Sequence, residues 1–112
     1  MRSLFVIRYK VWGREISAMP IYCDHLDTAL ERFDKRMGNN GLERSRYSVT
    51  GTRQIPEREV SFRHHEHFLK RLPHGEFVSL VQDRYYRQRS EGNLKPEIVK
   101  LIHQLIPDKV TT

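Results

Sequence analysis

The stretch Phe5-Val6-Ile7-Arg8-Tyr9-Lys10-Val11-Trp12 decides the fold. Phe5, Ile7, Tyr9 and Val11 fall on one side of a period of two, and Arg8, Lys10 and Trp12 on the other. That period belongs to a β-strand, because successive side chains leave a pleated backbone on opposite faces. The pattern predicts a strand with Phe5, Ile7, Tyr9 and Val11 buried and a basic outward face that ends in an aromatic. A sheet that offers an aromatic among cations can stack bases. The RNA-recognition sequence motif is absent, however, and the element order is not that fold's.

Outward from this strand, Gly13-Arg14-Glu15 reads as a turn and residues 16–23 as a second strand. Pro20 makes that strand an edge or a bulged one, since proline donates no ladder hydrogen bond. Leu26, Ala29, Leu30, Phe33 and Met37 then recur at helical spacing. Asp24 is the expected N-cap, Lys35 and Arg36 occupy the last turn, and Gly38 suits the left-handed C-terminal position. Residues 47–52 alternate as a third strand, and residues 53–58, with Pro56, read as a connection. The first half is therefore a ββαβ unit with a small antiparallel or mixed sheet.

The second half carries helical patterns. One spans residues 60–72 and stops at Pro73, a second spans residues 76–89, and a third starts near Pro96 and stops before Pro107. The fold class is α+β, a ββαβ unit followed by three helices. At 112 residues the chain fits one domain, 1–112, with a sheet half over 1–56 and a helical half over 59–107.

Composition narrows the function. The formal net charge is +6, which favours an anionic partner and excludes an acidic mimic of DNA. One cysteine, Cys23, cannot form an internal disulfide, so a reducing cytoplasm is the expected compartment. The apolar run Leu4-Phe5-Val6-Ile7 is too short for a signal peptide, and no stretch is long enough to cross a membrane.

The run Arg63-His64-His65-Glu66-His67-Phe68-Leu69-Lys70-Arg71-Leu72-Pro73-His74 holds four of the six histidines. A zincin needs a second histidine three positions after the glutamate; Leu69 stands there instead. His64 and His67 still lack the further ligands that a zinc site requires, so no metal is expected. On a helix, Ser61, His65, Phe68, Leu69 and Leu72 share one arc, which makes His65 a half-buried histidine in need of a partner. Arg63, His64, His67, Lys70 and Arg71 share the opposite arc with Val60 as the exception. This cationic stripe is the first candidate surface, although charged helix faces more often meet only solvent.

Gln82-Asp83-Arg84-Tyr85-Tyr86-Arg87-Gln88-Arg89 is the second candidate. Arg84 falls in the apolar arc of Phe77, Leu80, Val81 and Tyr85, so it is either a buried arginine with an acidic partner or the margin of a binding surface. Tyr86 projects from the core arc, with Arg87 and Arg89 nearby on different sides; an exposed aromatic with arginines can stack on bases or anchor a protein partner, or simply cover neighbouring side chains. In the last helix Ile98, Val99, Leu101, Ile102, Leu105 and Ile106 occupy nearly half the circumference, enough for core packing and a homodimer interface.

No catalytic set emerges, and no cofactor is expected. Cys23 and His25 lie too close in sequence at a strand–helix junction to face each other. The leading expectation is a non-catalytic protein that contacts nucleic acid or a nucleoprotein complex. Its contact residues are Arg63, His64, His67, Lys70, Arg71, Arg84, Tyr86, Arg87 and Arg89, with Arg8, Lys10 and Trp12 on the sheet. The alternatives are a regulator or inhibitor that binds another protein through Tyr86, Trp12 and the last helix, and a small ribonuclease using His64 or His67 with Arg84 and Tyr86.

Overall fold

The alternating stretch forms the middle strand. In the computed structural model, which describes residues 1–107, β1 (Ser3–Val11) lies between β2 (Arg14–Cys23) and β3 (Tyr47–Pro56). Both pairings are antiparallel. The helix α1 (Leu26–Asn39) connects β2 to β3, and α2 (Glu66–Leu69), α3 (His74–Glu91) and α4 (Pro96–Leu105) follow. The last five residues of the expected domain lie outside the described residues.

Helices cover both faces of the sheet. Phe5, Ile7 and Tyr9 pack with Ala29, Phe33 and Met37 of α1. Leu4 and Val6 pack on the other face with Leu69, Leu72 and Leu80. The expected single buried face of β1 is thereby corrected to two. Each fully buried side chain of this size contributes roughly 1.5–3 kcal/mol through the water it sheds, so β1 anchors two cores at once.

The turn between β1 and β2 is Trp12-Gly13, not Gly13-Arg14-Glu15. Both residues have positive φ, 56° and 75°, as in a type I′ hairpin. Trp12 therefore stands at the hairpin tip rather than on the outward strand face. β2 is an edge strand, as Pro20 predicts. Its irregularity falls at Ile16, however, where the register slips between Ser17 and Glu15. Glu76 accepts the Tyr22 N–H at 2.8 Å. Arg32 and Arg36 donate to the Tyr22 and Pro20 carbonyls. Side chains thus cover the inner half of that edge.

Three local expectations change. Leu26 begins α1 after His25, and no side chain caps it, so Asp24 is not the cap. Gly41, at φ 81°, takes the left-handed position expected for Gly38. The helix expected over residues 60–72 is only the turn Glu66–Leu69. There Ser61 and His65 compete for the backbone. The Ser61 hydroxyl accepts the His64 N–H at 3.0 Å, and His65 Nδ1 accepts the Ser61 N–H at 3.0 Å. Such side chain–backbone bonds favour turns over continuous helix.

Candidate functional site

The two faces of the expected stripe survive the loss of the helix. Leu69 and Leu72 are buried, His65 and Phe68 half-buried, and Arg63, His64, His67, Lys70 and Arg71 exposed. Val60, the exception in the stripe, is buried. Lys70 pairs with Glu66 at 3.1 Å, and the His67 ring rests on Phe68 with centroids 3.9 Å apart.

His65 meets the partner requirement through Ser61. Burial lowers its pKa, and the nearby Arg53, His64 and His67 lower it further. Because Nδ1 accepts a hydrogen bond, protonation there breaks it. A histidine with a depressed folded pKa contributes stability that is complete above its unfolded value of about 6.5 and is lost as pH falls below it. Acidifying from about pH 7.5 to about 5.5 is thus expected to remove roughly 0.5–1.5 kcal/mol, the worth of one hydrogen bond. Urea denaturation of the native protein and of His65→Gln at the two pH values checks this; an equal loss in both removes His65 as the cause.

Register explains the second part of the site. One sheet face carries the rows Tyr22–Leu4–Ile55, Pro20–Val6–Arg53, Ala18–Arg8–Gly51 and Glu15–Lys10–Ser48. The helices cover the first rows and leave the later ones open. The result is a groove of about 540 Å³, lined by Arg8, Arg53, Glu15, Ala18 and Gly51, with Phe68 as a wall. Arg71 reaches across from the α2 side and donates to the Ser17 hydroxyl at 3.1 Å. Arg8 and Arg53 of the sheet and Arg71 of the stripe, separate in sequence, thus border one concavity. Gly51 and Ala18 keep its floor shallow. Arg8 pairs with Glu15 at 3.0 Å, while Arg53 and Lys10 make no ion pair among the described residues.

Arg53 and Phe68 are the groove residues that the sequence reading missed. Ending the third strand at Thr52 placed Arg53 in a connection. The signal was Ile55, which continues the alternation two residues later.

The α3 residues divide differently. Arg84 is 9% exposed. Its Nε donates to Glu57 at 2.8 Å, and Nη2 donates to the carbonyls of Glu57 and Val60 at 2.6 and 2.5 Å. Its guanidinium also lies over the Phe62 ring. Arg84 is therefore corrected from contact residue to buried tether, and the set that a ribonuclease would draw on does not include it. Arg87 joins the same carboxylate at 2.8 Å and pairs with Glu91. Tyr86 and Arg89 are exposed. Burial raises the Glu57 pKa, but hydrogen bonds from Arg87 and Arg84 outweigh it and hold the carboxylate below its ordinary value.

Comparison with protein-family models, curated proteins and solved structures found no match.

The remaining ionisable groups serve the scaffold. The Tyr22 hydroxyl donates to Asp83 at 2.6 Å; burial and that carboxylate push its pKa far up. Cys23 is buried and donates to the His25 carbonyl at 3.3 Å, and burial raises the thiol pKa. It does not face the His25 ring as a nucleophile would. Among the described residues no three His, Cys, Asp or Glu side chains gather as metal ligands, and no helix is long and apolar enough to cross a membrane. On α4, Ile98 and Ile102 are buried and Val99, Leu101 and Leu105 half-buried, as is Ile106 just beyond it.

Proposed function

We propose that this protein binds nucleic acid, without catalysis, through the basic groove between the open sheet face and the α2 segment. The observation that carries the reading is that Arg8 and Arg53 line a concave floor of small residues, with Arg71 at its rim on Ser17. Guanidinium groups match phosphate oxygens in charge and geometry. Lys10, Arg63, His64 and His67 extend the positive surface. With Cys23 as a buried free thiol, the cytoplasm is the compartment we assign.

Phosphate contact has a signature in salt. With about four cations engaged, affinity for a single strand is expected to fall roughly tenfold to a hundredfold between about 50 and about 200 mM salt. Fluorescence anisotropy with labelled DNA and RNA, single- and double-stranded, measures it. Arg53→Glu is expected to weaken binding on the order of tenfold and to flatten the salt slope. Lys35→Glu, on exposed α1 across the sheet, leaves both unchanged. Salt-independent affinity, or equal effects of the two substitutions, sinks the reading.

A protein-binding regulator is the second reading. It is supported by an apolar groove of about 520 Å³ lined by Phe62, Leu69, Leu72, Phe77 and Leu101. No binding to any nucleic acid at low salt, with capture of a protein partner that Leu101→Asp abolishes, would favour it.

A further inference from the structure

Trp12 is a large exposed side chain whose position the core does not explain. A bulky aromatic at φ 56° is strained, and the type I′ turn it occupies favours Asn-Gly. Burial does not offset that strain, because Trp12 is 66% exposed. Strain held at an exposed side chain is characteristic of a working position.

The ring is held in place nonetheless. The Trp12 backbone N–H donates to the Arg46 carbonyl at 2.8 Å, which ties the turn to the segment before β3. The Arg46 guanidinium carbon lies 4.2 Å from the ring centroid. One guanidinium covers one face of an indole, and with the side chain 66% exposed the ring keeps surface for a further contact. Arg8 and Lys10 precede the ring along β1, and Arg14 follows it across the turn. At about 3.3 Å per residue, Arg8 lies about 13 Å from Trp12 along the strand. Arg8, Lys10 and Arg14 thus set positive charge along the hairpin between the groove and the turn that carries the ring.

We propose that Trp12 is a stacking platform for an unpaired base, which makes single-stranded nucleic acid the ligand class. This inference rests on the nucleic-acid reading of the groove. In a duplex both faces of each base are already stacked, so the platform is useless there; in a single strand a base is free to lie on the ring. The Arg46 cation on the far face adds attraction without blocking the near one.

Trp12 is the single tryptophan of the chain, so its emission reports the contact directly. Oligothymidylate of about twelve nucleotides and a duplex of the same length serve as probes, a length within the usual single-strand site. Binding is followed by anisotropy of the labelled strand, and stacking by quenching of tryptophan emission. Oligothymidylate is expected to quench at saturation and to bind more tightly than the duplex. Trp12→Asn is expected to lose roughly fivefold to a hundredfold in affinity for oligothymidylate. Its duplex affinity stays unchanged, and its melting temperature is equal or higher, because Asn-Gly relaxes the turn. Trp12→Phe retains part of the lost affinity. Binding by anisotropy with no quenching, or full affinity in Trp12→Asn, overturns the platform while the groove reading stands. Binding to neither probe overturns the groove reading, and the platform with it.

Discussion

Glu57→Ala is expected to cost about 3–5 kcal/mol of stability, a large share of the roughly 5–15 kcal/mol that holds a domain of this size. The reason is the charge that the substitution leaves behind. Glu57 is 4% exposed and answers two guanidinium groups at once, Arg84 and Arg87. Arg87 turns to Glu91 when the carboxylate is gone. Arg84 has no such exit: its side chain is 10% exposed and packed over Phe62. It keeps two backbone carbonyls, which do not neutralise a buried cation.

The converse experiment separates need from net benefit. In Glu57→Leu combined with Arg84→Met, charge and counter-charge vanish together. Buried pairs replaced this way are often neutral or better, so the double variant is expected within about 1–2 kcal/mol of the native protein. Chemical denaturation measures all three; a single substitution milder than the double one refutes the account. The pH dependence follows from the same carboxylate. Its folded pKa is depressed, so its contribution is complete above its unfolded value of about 4.3 and is lost as pH falls through the folded one. Glu57→Ala lacks that acid-labile component. This window lies below that of His65, so the two are separable in one titration.

The tether also shows where sequence reasoning ends. Arg84 sits in an apolar arc, and that alone signals a buried arginine in need of an acid. The acid is 27 residues away in a segment that carries no periodic pattern, so spacing could not name it. The run Leu4-Phe5-Val6-Ile7 likewise signals burial on two faces, as in any covered strand. The clear alternation of the following residues masks it. Local competition defeats the helix over residues 60–72: the side chains of Ser61 and His65 bond the backbone themselves, and helical periodicity cannot register that. The groove was legible only in parts. Arg8 follows from the strand pattern and Arg71 from the stripe. Their meeting depends on register and on how far the helices reach across the sheet.

Phe33→Ala tests whether the two cores act as one. Phe33 is fully buried and meets Tyr9 and Tyr47 edge-to-face at 5.2 and 5.6 Å. Its loss removes a large apolar side chain from a packed interior and leaves a cavity, at a cost of about 3–5 kcal/mol. The two aromatic pairs add roughly 0.5–1.5 kcal/mol each to what the native side chain contributes. A fall in Tm of more than about 10 °C follows for a domain of this length. All of this damage lies under α1, across the sheet from α3. If the halves were independent, α3 and α4 would survive it. They are not, because β1 supplies Phe5 and Ile7 to one core and Leu4 and Val6 to the other. Loosening one face frees the strand on which the other is built. Helical circular dichroism and Trp12 emission are therefore expected to change together in one transition, in the native protein and in Phe33→Ala alike. Helical signal that persists after Trp12 emission has changed would mean that the shared strand does not couple them.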